Sequence, residues 1–186
     1  YEPAEKDRSG VYHSVGAFDI VKGIQPVLDK EKHSWSQSVS DHVEYLMNKH
    51  DDICVITPAM ITGSCLQKIF KNYPDRSFDV GIAEEHAMTL AAGLSQGKEF
   101  PFLSVYSSFF QRAYDQLNHD IARMNLPCLI GIDRAGLVGG DGATHHGVFD
   151  IGLIAPIPGV IIMAPKDEEE AQKMINTASV SYTHLR

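Results

Sequence analysis

Short apolar runs alternate with stretches of helical spacing along most of this chain. The apolar runs, which are typical of buried strands, occur at 53–58, 78–83, 102–106, 126–132 and 160–163. Helical spacing follows several of them, most clearly at 87–94 and 109–117. Strands alternating with helices predict a doubly wound, mainly parallel α/β sheet with helices on both faces.

Two further helices are indicated by their starts. One begins near Ser36, and its apolar face is formed by Val39, Val43, Leu46 and Met47. The other is capped by Asp167 and extends through Met174, with Glu170 at the capping-box position. Residues 1–35 are polar, weakly periodic and rich in turn-formers, so we interpret them as a linker that arrives from an upstream domain.

Charge and cysteine content exclude several classes of function. The net charge of −8 leaves no basic patch for nucleic acid. No apolar run is long enough to cross a membrane, so we expect a soluble protein with no membrane partner. Cys54, Cys65 and Cys128 lie far apart and lack metal-ligand spacing, which predicts reduced thiols in a cytoplasmic protein.

Polar clusters follow three of the predicted strands. Glu84, Glu85 and His86 follow one strand, Phe109 and Arg112 follow the next, and a Gly-rich loop at 133–149 follows a third. Because the carboxyl ends of parallel strands meet at one edge of a sheet, Glu84, Phe109 and His145 should converge there. Each cluster also has a purely structural interpretation: Glu85 complements a helix dipole, the aromatic residues belong to the core, and the loop is an ordinary surface loop.

These segments together resemble the 1-deoxy-D-xylulose-5-phosphate synthases, thiamine-diphosphate enzymes related to transketolase. The matching stretches are YEPAEKD at 1–7, GIAEEHA at 81–87, YSSFFQRAYDQ at 106–116, DRAGLVGGDGATHHGVFD at 133–150 and IIMAPKDEEE at 161–170. The resemblance extends from Tyr1 to about Ala178, so we assign 36–178 to a pyrimidine-binding domain, truncated at its C-terminal end. Residues 179–186 do not resemble the family and are interpreted as a tail of doubtful origin.

The resemblance implies roles for the clustered residues and for one histidine in the linker. It implies that Glu84 hydrogen-bonds N1′ of the cofactor's aminopyrimidine ring and that Phe109 stacks on this ring, with Tyr106 and Arg112 beside it. Asp141 and His145 match residues placed over the thiazolium and the substrate, and His13 matches another active-site histidine. The resemblance further implies that Arg134 contacts the substrate phosphate. We interpret His146 as a loop residue only.

The resemblance also implies cofactors and partners. The cofactors are thiamine diphosphate and Mg²⁺, whose ligands we expect in a missing upstream domain. Gly140-Asp141-Gly142 resembles the family's metal motif, but no asparagine occurs at 164–173, where the motif needs one. We therefore assign no metal ligand to this chain.

The implied reaction is the decarboxylative condensation of pyruvate with glyceraldehyde 3-phosphate, in a homodimer, to 1-deoxy-D-xylulose 5-phosphate, a precursor of isoprenoids, thiamine and pyridoxal. The alternatives are a transketolase or a 2-oxo-acid dehydrogenase β-type domain. A third is a fragment without activity when isolated, since much of the family's enzyme lies outside this chain.

Overall fold

The computed structural model describes residues 1–7, 12–13, 15, 18–24 and 34–181. The chain divides into two units, Tyr1–His33 and Ser34–Arg186. The first contains a short helix, α1 (Glu2–Glu5), and a turn in which the Asp19 carboxylate accepts hydrogen bonds from the backbone N–H groups of Val21 and Lys22. The assignment of 1–35 to a linker stays a prediction.

The second unit is built on a parallel four-stranded sheet, which confirms the predicted fold class. Its strands are β1 (Ile53–Thr57), β2 (Ser77–Asp79), β3 (Phe100–Tyr106) and β4 (Leu129–Asp133), in the order β2-β1-β3-β4. Strand β2 is shorter than predicted. The predicted end near Ala83 is wrong because the chain turns at Gly81, whose φ of 71° is left-handed.

Helices cover both faces of the sheet. They are α2 (Trp35–Met47), α3 (Gln67–Asn72), α4 (Glu84–Gln96), α5 (Ser107–Phe110), α6 (Tyr114–Gln116), α7 (Asp150–Ile154) and α8 (Glu168–Ser181). The predicted cap at Asp167 is confirmed, and α2 has a cap that the sequence analysis did not single out. The side chain of Ser34 accepts from the Gln37 N–H at the start of α2, and Asp167 accepts from the Glu170 N–H at the start of α8. Helix α8 continues well beyond the predicted end at Met174, and residues 182–186 of the predicted tail lie outside the described residues.

The stretch predicted as one helix at 109–117 is helical but irregular. A 3₁₀ turn (Gln111–Ala113) separates α5 from α6, and a π-helical segment (Leu117–Ala122) follows α6. The apolar spacing still produces one buried face, made of Phe110, Ala113, Leu117 and Ile121.

The fifth predicted strand, at 160–163, is wrong. These residues are in neither strand nor helix, and the Ile161 side chain is 68% exposed. A strand forms only where a neighbouring strand shares its backbone hydrogen bonds. In the part of the chain that the structure describes, β3 is the only strand that pairs with β4, so 160–163 has no ladder of its own.

Alternating residues of the central strands fill two cores, one on each face. Ile56 and Leu103 pack with Met88 of α4 on one face, whereas Val55 and Phe102 pack with Met47 of α2 on the other. Burial on both faces explains why β1 and β3 appear as continuous apolar runs. None of the helices in the described residues is sufficiently long and apolar to span a bilayer.

Candidate functional site

The carboxyl ends of the strands bring the predicted site residues to one edge of the sheet. Tyr106, the last residue of β3, lies in register with Asp133, the last residue of β4. Helix α5 therefore starts at the same level as the Gly-rich loop that follows Asp133. Helix α4 starts at Glu84, shortly after β2 ends at the same edge.

Glu84 is a buried carboxylate paired with a more exposed arginine. Its side chain is 3% exposed, and Nη1 of Arg112 donates to its two oxygens at 3.1 and 3.3 Å. The Arg112 side chain is 50% exposed, so it bridges the buried carboxylate and the solvent. A carboxylate is seldom buried unless it is paired, and this one also gains from the start of α4. The neighbouring Glu85 is exposed.

Aromatic side chains form a wall beside this ion pair. The rings of Tyr106 and Phe109 are stacked, with centroids 5.8 Å apart and an interplanar angle of 8°. His145 meets Phe109 edge-on at 5.5 Å, and the guanidinium of Arg112 lies 5.9 Å from the centroid of the Phe109 ring. Phe109 therefore touches both the Glu84–Arg112 pair and the Gly-rich loop.

Arg134 connects the loop to the same wall. Its guanidinium lies 4.8 Å from the Tyr106 ring centroid, and its Nε is 3.2 Å from Asp141 Oδ2. The backbone of Arg134 is left-handed, with a φ of 60°, which is uncommon for a residue other than glycine. Burial raises the pKa of the Tyr106 hydroxyl, although Arg134 acts in the opposite direction, so this hydroxyl stays neutral at physiological pH.

The Gly-rich loop is closed at its base by backbone hydrogen bonds and close packing. Gly136 and Gly147 exchange two backbone hydrogen bonds of 2.7 and 2.8 Å. A Cβ at Gly147 would overlap the Ser107 side chain and lie 2.7 Å from the Arg134 carbonyl oxygen, so only glycine fits there. His146 accepts a hydrogen bond from the Val138 N–H through Nδ1, so it is held inside the loop.

Three residues that the sequence analysis did not single out also shape the site. Asp79 Oδ1 accepts from the N–H groups of Ala59 and Gly81 at 2.9 and 3.0 Å, which joins the ends of β1 and β2 just before Glu84. The Ser107 hydroxyl donates to the carboxylate of Asp150, the first residue after the Gly-rich loop. Asp79 and Ala59 are 20 positions apart and Ser107 and Asp150 are 43 positions apart, so these two contacts leave no local signal and required the tertiary structure.

Within Ser34–Arg186, the structure therefore brings the predicted site residues together. Glu84, Arg112, Phe109, Tyr106, His145, Arg134 and Asp141 form one connected set of contacts. His13 belongs to the first unit, where its side chain is exposed, and its place in the active site stays a prediction.

The donor set fits one end of a thiamine cofactor. A buried carboxylate beside a flat aromatic wall suits an aminopyrimidine ring, which offers a ring nitrogen and two faces. Within the described residues, no group of three His, Cys, Asp or Glu side chains could hold a metal ion.

Comparison with known families agrees with this geometry. The profile of the family "Transketolase, pyrimidine binding domain" matches residues 31–184. This chain belongs to that family. It thus shares the family's pyrimidine-binding domain fold.

Curated relatives are found among bacterial synthases. The chain is 52% identical over 178 residues to the 1-deoxy-D-xylulose-5-phosphate synthase of Bacillus licheniformis and 51% identical over 180 residues to that of Listeria innocua. Each match covers 96% of this chain but 28% of the relative, so the chain spans less than a third of these enzymes.

Solved transketolases share the fold at low identity. The Campylobacter jejuni enzyme superimposes with a TM-score of 0.73 at 15% identity, covering 79% of this chain and 24% of that one. A split-gene transketolase, described as an inactive β4 tetramer, gives a TM-score of 0.68 at 26% identity and covers 77% of this chain and 46% of that one.

Proposed function

We propose that this chain is the pyrimidine-binding part of a longer 1-deoxy-D-xylulose-5-phosphate synthase, which condenses pyruvate with glyceraldehyde 3-phosphate and releases CO₂. The observation that carries the proposal is the buried Glu84 carboxylate, which Arg112 connects to the Tyr106–Phe109 wall, with the Gly-rich loop in contact with that wall through His145 and Arg134. Identity of about half to synthases over nearly the whole chain supports the same reaction class.

Glu84 has the proton-handling role in this proposal. Its carboxyl hydrogen-bonds N1′ of the aminopyrimidine ring and shares a proton with it. Arg112 keeps the carboxyl oriented through two contacts on one nitrogen, and its exposed position lets it move without opening the core. When bound, thiamine diphosphate supplies the electron sink for decarboxylation.

The aromatic wall and the loop hold the ring and the substrates. Phe109 stacks on the pyrimidine ring, and Tyr106 supports Phe109 from behind through their parallel contact. His145, held edge-on against Phe109, moves protons among the substrate oxygens. Arg134 binds the aldehyde's phosphate with its planar fork, and Asp141 orients that fork through Nε.

The remaining parts of the proposal concern the longer enzyme. We assign the Mg²⁺ and diphosphate contacts to an upstream domain and place His13 in the completed active site. The enzyme would act as a homodimer. A cytoplasmic location is supported by the three unpaired cysteines, since an oxidising compartment favours disulfides.

A coupled assay of the full-length protein with pyruvate and glyceraldehyde 3-phosphate tests this function. We expect 1-deoxy-D-xylulose 5-phosphate and CO₂ in equal amounts. Ketol transfer between sugar phosphates without CO₂ release would instead identify a transketolase. Acyl transfer to a lipoyl group would identify a 2-oxo-acid dehydrogenase component.

Calorimetry of the 186-residue chain tests the division of labour between domains. We expect neither tight cofactor binding nor turnover, because this chain provides the pyrimidine wall without the diphosphate contacts. The inactive tetramer of the split-gene transketolase is consistent with that expectation. Tight, Mg²⁺-dependent binding by this chain alone would contradict it.

A further inference from the structure

Ser107 and Asp150 lie close in sequence to Phe109 and His145, the two rings that meet in the candidate site. Ser107 is the first residue of α5, two positions before Phe109, and Asp150 is the first residue of α7, five positions after His145. The Ser107 hydroxyl is buried and lies 2.7 Å from each oxygen of the Asp150 carboxylate. The two residues are 43 positions apart in sequence, so this contact joins otherwise independent segments.

The geometry around this pair leaves little freedom. Gly147 lies directly against the Ser107 side chain and the Arg134 carbonyl oxygen. The same glycine exchanges two backbone hydrogen bonds with Gly136, which closes the base of the loop. The C-terminal end of the loop is therefore held by the Gly136 backbone and by the contact between Ser107 and Asp150.

We propose that Ser107 and Asp150 form a clamp that positions His145 against Phe109 in the active site. Both residues act through His145 and touch no reacting atom, so they are positioning residues. A hydroxyl that donates to a carboxylate makes one of the stronger hydrogen bonds in proteins. It is suited to hold a Gly-rich segment whose backbone has unusual freedom.

The expected loss of activity rests on the proposed function. The expected displacement of His145 rests on the clamp geometry alone. We expect the Glu84–Arg112 pair and the Tyr106–Phe109 stack to survive loss of the clamp, because neither contact includes Ser107, Asp150 or the loop. The same loss releases His145 from its edge-on contact, 5.5 Å from Phe109. A reacting group displaced by about 1 Å loses rate by roughly 100-fold.

The test compares serine-to-alanine changes in the full-length protein. Ser107→Ala removes the clamp donor. Ser95→Ala is the matched control, because Ser95 is also buried and donates a 2.8 Å hydrogen bond, to the Pro127 carbonyl. It lies near the end of α4 opposite to Glu84, roughly 16 Å along the helix. Asp150→Asn keeps an acceptor oxygen and should largely preserve the clamp, whereas Asp150→Ala should not.

We expect Ser107→Ala and Asp150→Ala to lower kcat/KM by roughly 10- to 100-fold, mainly through kcat, with Ser95→Ala and Asp150→Asn close to wild type. In a His145→Ala background, the Ser107→Ala penalty should disappear, because contacts that act through one residue are not additive. A penalty that persists in full in that background, or equal losses from Ser107→Ala and Ser95→Ala, would overturn the clamp.

A second readout separates the clamp from the proposed function. The ¹³Cε1 NMR signal of His145, assigned with the His145→Ala variant, reports the edge-on contact with the Phe109 ring. Ser107→Ala should shift this signal and Ser95→Ala should not, whatever reaction the protein catalyses. An unshifted signal in Ser107→Ala would overturn the clamp, whereas a shifted signal in a protein that makes no product would reject the proposed function alone.

Discussion

The sheet has a packed side, made of β1, β3 and the helices on them, and a β4 side, made of β4 and the segments that follow it in the chain. The two sides differ in how completely this chain covers them. Strands β1 and β3 are buried along their whole length, with helices packed on both faces. Strand β4 is half-buried at every residue, and the apolar segment 160–163 beyond it exposes Ile161, Ile162 and Met163. The first side is a packed domain core, whereas the second leaves three large apolar side chains exposed.

The candidate site lies across the boundary between these two sides. Glu84 and Tyr106 belong to the packed side and are buried. Arg134, Asp141 and His145 belong to the loop that follows β4, and none of the three is buried. The residues proposed to contact the pyrimidine ring are thus fixed by the core, while those proposed to contact substrate sit on the less covered side.

The largest effect is expected from the buried carboxylate. Glu84→Gln keeps the size of the side chain but removes the acid–base group, so turnover of the full-length enzyme should fall about 10²- to 10⁴-fold. Glu85→Gln is the matched control, because Glu85 is exposed on the next residue. Steady-state kinetics measures both, and comparable losses would contradict the assignment of Glu84.

Truncation of a side chain on the packed side should lower the free energy of unfolding more than truncation on the β4 side. Leu103→Ala opens a cavity beneath α4 and should lower the free energy of unfolding by about 2–5 kcal/mol. Ile161→Ala changes an exposed side chain and should cost less than about 0.5 kcal/mol in the isolated chain. Urea denaturation of the purified chain measures both changes. A large cost for Ile161→Ala would show that 160–163 packs more tightly than the structure indicates.

A smaller and local effect is expected from the closed base of the loop. Gly147→Ala inserts a methyl group against Ser107 and should cost about 1–3 kcal/mol. Gly139→Ala is the control, because a Cβ there meets nothing within 4 Å. Thermal unfolding, together with hydrogen exchange of 134–149, should show faster exchange for the first variant only. Equal exchange in both would mean that the loop base is not tightly closed.

The smallest expected effect concerns thiol chemistry on the packed side. Burial raises the pKa of the Cys54 thiol to about 12, whereas Cys65 is partly exposed. Thiol reagents at pH 8 should therefore modify Cys65 well before Cys54, as mass spectrometry of the labelled chain can show. Because the folded pKa is raised, the contribution of Cys54 to stability is intact below about pH 8.5 and declines as the pH rises toward 12. Equal labelling rates would contradict the burial of Cys54.

The predictions from sequence were most accurate for features that depend on a single helix or strand. The cap at Asp167 and the apolar face of α2 are local features, and they were predicted closely. Strand 160–163 failed because four apolar residues do not form a strand without a paired neighbour. The sequence analysis gave the helix-dipole interpretation to Glu85 alone, and in the structure only Glu84 of the two is buried.

The order of apolar and polar residues by itself determined the parallel α/β class and the side chains that follow each strand, because both depend on periodicity within short segments. The tertiary structure alone decided that Glu84 pairs with Arg112, that Ser107 meets Asp150, and that Gly147 has no room for a side chain. These contacts join residues tens of positions apart. Their energy depends on burial and distance, which exist only once the strands have aligned in one sheet.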